Sequence, residues 1–169
     1  PKYILTKNSL LIELLTGLTT EVALTAGSEA KELRQAIIKS LNTAHSKSAI
    51  LLTNQNGYAE MDGWQDGNGR SLLVPNPADP EVYRLGGRLV VYADNDLIPD
   101  ETSKHPIYVG NFKALGTLFV RKGIEMAATD VGGDAWATDS YEIRGLCRMD
   151  AQLVDADAAF KATITTAAG

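Results

Sequence analysis

The sequence has little that would form disulfide bonds or attach the protein to a membrane. It holds a single cysteine, Cys147, which excludes an internal disulfide and gives no sign of an oxidising compartment. No run reaches the roughly 18 consecutive apolar residues of a membrane span, so no membrane association is expected. The chain starts at Pro1 without a signal peptide, and the missing initiator methionine predicts a processed or truncated chain.

Positive charge is also scarce. The 16 Lys and Arg residues stand against 21 Asp and Glu residues, which gives a formal net charge of −5. Domains that bind nucleic acid gather basic residues on one face, so no sequence-specific nucleic-acid binding is expected. A protein of this charge that encloses DNA would form a neutral to acidic wall around it.

What the sequence does contain is the composition of a globular protein. Its 169 residues are 44% hydrophobic and 22% charged, which disfavours disorder and suffices for a core. The order of elements predicts an α+β fold with a mixed sheet. Apolar residues at three- and four-residue steps predict a helix over 28–44, and a buried strand at 48–53 precedes a second helix. The further predicted elements are strands at 70–74, 88–93 and 107–110, a loop at 75–82, a hairpin of 117–121 and 124–129 that turns at Lys122 and Gly123, a strand at 141–150, and a frayed tail at 162–169.

Several short motifs follow one another in an order that resembles a known family. They are AILLTN at 49–54, DGNGR at 66–70, LGGRLVV at 85–91, IP at 98–99, IYVGNF at 107–112, RKG at 121–123, RGLCRMD at 144–150 and ADAAF at 156–160. Each motif alone is weak, but their common order and spacing are fairly specific. Together they resemble the Hong Kong type capsid family of tailed bacteriophages, whose fold is shared with encapsulin compartments.

The resemblance implies an axial domain, which surrounds a fivefold or sixfold axis, and a peripheral domain with long strands. Residues 28–121 resemble the axial domain and residues 122–145 resemble the peripheral strands. Residues 146–169 resemble the return strand and tail, and residues 1–27 stay unmatched. The family's N-terminal arm, extended loop and spine helix are not recognisable in this sequence.

The function that the resemblance implies is structural. The chain is expected to be a major capsid (head) subunit of a tailed bacteriophage or prophage that assembles into pentamers and hexamers of an icosahedral shell enclosing DNA. Copies of itself and other phage head proteins are the expected partners. The expected location is the virion, and the host cytoplasm during assembly. No enzymatic activity and no cofactor are expected.

Three alternatives stay open from the sequence. An encapsulin-like compartment would use the same fold to enclose an enzyme. A small hydrolase would use Cys147 or an acidic pair, although Cys147 lies in an alternating strand and is expected to fill a core. A monomeric binding module would neither assemble into a shell nor catalyse a reaction.

Residues that could carry chemistry have ordinary structural interpretations. His45 and His105 are expected to be solvated, and the acidic loop from Asp94 to Glu101 lacks the spacing of a calcium loop. We therefore predict no catalytic, cofactor or metal site.

Four residues are predicted to contact neighbouring copies. Trp136 stands in a polar loop with no local core, which is typical of an interface anchor. Arg70, Arg88 and Arg144 are expected to pair with acidic groups of neighbours and so to fix register more than strength.

Overall fold

The computed structural model describes residues 14–25, 27–102, 104–131 and 138–165. Strands dominate the second half of this part of the chain and helices the first, which confirms the predicted α+β class. The elements are β1 Glu21–Leu24, α1 Glu29–Ser40, α2 Thr43–Ser46, β2 Ile50–Asn54, α3 Gln55–Asp62, β3 Leu73–Asn76, β4 Asp79–Leu85, β5 Arg88–Ala93, β6 Lys104–Gly110, α4 Phe112–Leu115, β7 Gly116–Thr129, β8 Glu142–Leu153, a 3₁₀ turn Ala156–Ala158, and β9 Ala159–Thr165.

Contacts along the chain divide it into two compact units. The first unit comprises residues 1–117 and 153–169, and the second comprises residues 118–152. The first contains a seven-stranded mixed sheet in the order β1-β9-β6-β2-β5-β4-β3. The second is built on a two-stranded ribbon of β7 and β8.

Helix α1 follows the predicted pattern but ends earlier than expected. Leu33 and Ile37 are buried on its inner face, as the spacing predicts. At the N-terminus the Glu32 carboxylate accepts hydrogen bonds from the Thr25 amide at 2.7 Å and the Ser28 hydroxyl at 3.0 Å. The helix stops because Leu41 turns to an extended conformation and buries its side chain.

The main core lies between α1, α3 and one face of the sheet. Three adjacent strands, β9, β6 and β2, supply its centre, where Phe160, Ile107 and Leu51 are fully buried. On the opposite face a smaller cluster forms around Leu15, Ile98 and Tyr108. Because successive residues of a strand point to opposite faces, Ile107 lies in the main core and Tyr108 in the smaller cluster.

Three local predictions are wrong because pairing partners distant in sequence decide the structure. The proline-rich stretch 75–82 was expected to be a loop, but much of it lies in the β3–β4 hairpin. Residues 117–129 do not turn at Gly123 and instead run straight through β7. The tail was expected to fray from residue 162, but Ala162, Thr163 and Ile164 are buried in β9 between β1 and β6.

Candidate functional site

The ribbon of β7 and β8 is antiparallel, and two contacts fix how its strands face each other. The amide of Val154 donates to the carbonyl of Leu115 at 2.8 Å. The Cys147 thiol lies 3.4 Å from the carbonyl of Lys122. One strand therefore advances from 115 to 122 while the other retreats from 154 to 147, so the two strands run antiparallel.

The ribbon exposes apolar side chains that a globular protein would bury. On the ribbon and directly beside it, the large exposed apolar residues are Leu118, Phe119, Val120, Ile124, Met126, Val131, Tyr141, Ile143, Met149 and Leu153. Met126 and Tyr141 keep 78% and 77% of their surface. Among the described residues of 118–152, only Ala151 is a buried apolar residue. A lone two-stranded ribbon is at best marginally stable in water, so further protein surface must cover this one.

Two of the predicted contact residues are exposed, and one is held inside its own subunit. Arg70 is the last residue of a turn, in which its backbone amide donates a hydrogen bond to the Asp66 carboxylate at 3.0 Å. Arg144 stands on β8 and is exposed. Arg88 is half-buried, and its Nη2 donates to the Ser46 hydroxyl at 2.9 Å. Trp136 lies outside the described residues.

Two further arginines of the ribbon, Arg121 and Arg148, were not predicted as contacts. Both are exposed, and each is the chain neighbour of a residue in the contact between Lys122 and Cys147. In the part of the chain that the structure describes, no arginine comes within 4 Å of a carboxylate oxygen. The signal for Arg148 was the motif RGLCRMD at 144–150, in which Arg144, Arg148 and Asp150 fall on one face of a strand.

The acidic loop after β5 is tied down by an aspartate. Asp100 accepts hydrogen bonds from the side-chain amides of Asn54 and Asn56, and its Oδ1 lies 2.7 Å from Nδ1 of His105. Asn54, at the start of α3, is fully buried and also accepts the Gly57 amide at 2.8 Å. Burial opposes ionisation of Asp100, but these hydrogen bonds outweigh it and hold the pKa of its carboxyl below the ordinary value.

Lys161 forms a second set of polar contacts that hold this loop, on the same face of the sheet. Its ammonium pairs with Glu101 and lies 3.7 Å from Glu21. Burial lowers the pKa of Lys161, but the hydrogen bond that its ammonium donates to Glu101 and the nearby carboxylates of Glu101 and Glu21 reverse this and leave the pKa raised. Lys161 therefore stays charged and holds the loop that carries Glu101 against β9.

The cysteine and the two histidines do not form a catalytic group. His45 Nε2 lies 3.1 Å from the Asp155 carboxylate, and His105 is engaged with Asp100. Both histidines are thus more enclosed than predicted. Cys147 is half-exposed on the ribbon rather than buried in a core, because none of the described residues of 118–152 forms a second layer over its strand.

Pockets and metal groups are sparse in the described residues. An open cleft of about 440 Å³ lies beside the N-terminus of α1, with Trp64, Leu72 and Leu85 among its lining residues. Trp64 itself belongs to the main core. Within the described ranges no three His, Cys, Asp or Glu side chains come together as a metal site would require. No helix among them is long and apolar enough to cross a membrane.

Solved structures with a similar fold include phage-type capsids and an encapsulin. The capsid of an empty GTA particle has a TM-score of 0.64 at 18% identity, over 88% of this chain and 50% of that one. The mature capsid of bacteriophage PhiM1 has a TM-score of 0.62 at 12% identity, over 97% and 61%. The holo-SrpI encapsulin complex of Synechococcus elongatus has a TM-score of 0.57 at 13% identity, over 94% and 61%.

These similarities concern the fold, and the chain spans about half to three-fifths of the length of those structures. A comparison with curated proteins finds no match. The sequence does match the family described as Phage capsid family, from residue 5 to residue 164. That match covers nearly the whole chain and favours a phage capsid over an encapsulin compartment. The chain therefore belongs to the phage capsid family, has the Hong Kong type capsid fold, and is a structural rather than an enzymatic protein.

Proposed function

We propose that the protein is a major capsid subunit that assembles into pentamers and hexamers of an icosahedral shell enclosing DNA. The observation that carries this proposal is the exposed apolar surface of the ribbon, in a chain of the phage capsid family. An apolar surface of this extent is a liability for a protein that works alone. It is useful in a protein whose working form is an assembly.

The mechanism of such a subunit is the summation of repeated contacts. Head-to-tail contact between two different surfaces of identical chains closes into a ring when the rotation fits. Each contact can be weak because a subunit touches several neighbours, and leaving the shell requires breaking these contacts together. No bond chemistry is needed, and Cys147→Ala should leave assembly unchanged.

The proposed roles of the chain segments follow the capsid family. Residues 28–121 would form the axial part around the ring axis, residues 122–145 the peripheral strands, and residues 146–169 the return and tail. Arg70, Arg144 and Trp136 are proposed as contacts with neighbours. Arg88 is the weakest of the four proposed contacts because its guanidinium already binds Ser46.

The surroundings of the subunit belong to the same proposal. Other phage head proteins would complete the particle, and assembly would take place in the host cytoplasm before the shell is part of a virion. The net charge of −5 favours a wall that encloses DNA without gripping it.

Electron microscopy of the complete gene product tests the proposal. Negatively stained samples should show rings of five or six subunits, or closed shells. A complete product that stays monomeric at high concentration would contradict it. Charge reversal of Arg70 is a finer test, since an unchanged particle yield would remove that residue from the contact.

A further inference from the structure

Two asparagines of the sequence stand directly before a glycine, Asn56 before Gly57 and Asn68 before Gly69. Such a pair is chemically unstable, because the backbone nitrogen of the glycine can attack the side-chain carbonyl of the asparagine. Glycine favours this attack since it has no Cβ to obstruct the nitrogen. Asparagine is accordingly among the thermolabile residues of proteins. The fold holds the two pairs in different ways, and this difference decides which of them reacts.

The first pair is held firmly at the start of α3. The Asn56 side-chain nitrogen donates to the Asp100 carboxylate, and its oxygen accepts from the Asn95 side chain at 3.4 Å. Gly57 is buried, and its nitrogen donates to the side-chain oxygen of Asn54 at 2.8 Å. Both reacting groups are therefore engaged, and a reaction at Asn56 requires that this part of α3 first opens.

The second pair lies in the turn at 66–70, where Asn68 and Gly69 are both exposed. The backbone amide of Asn68 donates to the Asp66 carboxylate at 2.8 Å, but its side-chain amide has no hydrogen-bond partner among the described residues. Gly69 has a φ of 76°, and a Cβ added to it would meet no atom closer than 4.0 Å. Its nitrogen donates to the Asp66 carbonyl at 3.0 Å, a single surface hydrogen bond that water can replace. The turn thus leaves the reacting groups accessible.

We infer that Asn68 is a site of spontaneous deamidation, with water as the co-reactant. The Gly69 nitrogen forms a bond to the side-chain carbonyl carbon of Asn68, and the bond from that carbon to the side-chain nitrogen breaks. Ammonia leaves with the proton of the Gly69 nitrogen, and a cyclic imide remains. Water then opens the imide. Cleavage at the side-chain carbonyl gives aspartate, and cleavage at the backbone carbonyl gives isoaspartate, in which the chain runs through the side chain. Nothing is oxidised or reduced.

Either product places a new negative charge in the turn. The Asp66 carboxylate, which accepts the backbone amides of residue 68 and Arg70 at 2.8 and 3.0 Å, then stands beside a like charge. A carboxylate two residues before Arg70 can also bind the guanidinium of that arginine within the same chain. The effect on assembly rests on the proposed function, in which Arg70 contacts a neighbour. Deamidated subunits should therefore join particles more slowly.

Peptide mapping by mass spectrometry tests the inference, on dissociated subunits of the complete gene product incubated at neutral pH. Conversion at Asn68 should be on the order of a hundredfold faster than at Asn56, because only Asn56 must first leave a hydrogen-bonded segment. In chains unfolded by urea the two rates should agree to within about threefold, since the fold no longer separates them. Equal conversion of the two asparagines in the folded subunit, or none at either, would overturn the inference.

Two variants at the same position test the consequence for assembly. Asn68→Asp reproduces one product and should slow particle formation, followed by light scattering, by about threefold or more. Asn68→Gln keeps the side chain neutral, so it should assemble like wild type and show no conversion at position 68. If Asn68→Asp assembles as fast as wild type, the effect on the contact is wrong. A wild type that forms no particle contradicts the proposed function instead, and the peptide map still decides the deamidation.

Discussion

The two units of this chain treat their apolar side chains differently: the first buries them and the second leaves many of them exposed. The first unit buries Phe160, Leu51 and Ile107 completely between its sheet and helices. The second unit leaves Met126, Tyr141 and Ile143 about three-quarters exposed on a ribbon two strands wide. Under the proposed function, the first unit supplies the stability of the separate subunit and the second unit supplies surface for association.

The contrast explains where substitutions should act. Changes in the first unit should alter the free energy of unfolding of the separate subunit. Changes on the ribbon should leave that free energy almost unchanged and alter assembly. Pairs of matched substitutions, one in each unit, therefore test whether the two units differ in this way.

The largest difference is expected for two phenylalanines. Phe160→Ala removes a fully buried ring from the centre of the core and should destabilise the subunit by about 4 kcal/mol. Phe119→Ala removes a ring that keeps 54% of its surface and should change stability by less than about 0.5 kcal/mol. Urea unfolding of dissociated subunits measures both. Equal losses at the two positions would contradict the division of roles.

Two glycines give the next largest contrast. A Cβ on Gly110 would lie 2.3 Å from the Cβ of Ala159 and 2.4 Å from the carbonyl of Ala158, because β6 and β9 approach closely there. Gly110→Ala should therefore cost about 2 kcal/mol. A Cβ on Gly145 of the ribbon meets nothing within 4 Å. Gly145→Ala should be nearly neutral, and a similar loss at both positions in urea unfolding would show that the ribbon is more tightly packed than described.

The contribution of Asp100 in the acidic loop to the stability of the first unit should depend on pH. The lowered pKa of Asp100 means that its contribution is present above the ordinary carboxyl pKa and is lost as pH falls through the lowered value. Asp100→Asn should cost about 1 kcal/mol at neutral pH, since the carboxylate remains partly exposed. The deficit should shrink below about pH 4. A deficit in thermal unfolding that does not change with pH would exclude this role.

An effect of similar size should have the opposite sign. The hydroxyl of the buried Thr163 has no hydrogen-bond partner among the described residues, so Thr163→Val should stabilise the subunit by about 1 kcal/mol. The matched control is Thr53→Val, where the hydroxyl donates to the Pro106 carbonyl at 2.9 Å. That change should destabilise by a similar amount. Calorimetric melting temperatures that move in the same direction would contradict the assignment.

Local pattern was sufficient for part of the fold. The predicted strand at 88–93 coincides with β5, and the predicted helix from 28 begins where α1 is capped. Both elements have strong periodicity or strong β-branched content, so their neighbours in sequence decide their conformation. Family membership also followed from motif order, since glycine turns such as that at Asp66–Arg70 keep their residue types for backbone reasons.

The failures have a common physical cause in pairing between distant segments. Lys122 and Gly123 have the composition of a turn, but β8 pairs across them and keeps β7 straight. The Ala- and Thr-rich composition from residue 162 onward predicted a frayed tail, but β9 begins before it and is held by pairing with β6. Ala159 of β9 fits there because Gly110 of β6 has no side chain. Cys147 has the alternation of a buried strand, but alternation cannot show whether a second layer exists.

Hydrogen exchange of the complete gene product, compared between dissociated subunits and assembled particles, tests the account most directly. Assembly should slow exchange strongly at the amides of 118–153, where the ribbon becomes covered. The core strands β2, β6 and β9 should change little, because they are already protected in the separate subunit. A ribbon that exchanges as fast in the particle as in the free subunit would contradict the account.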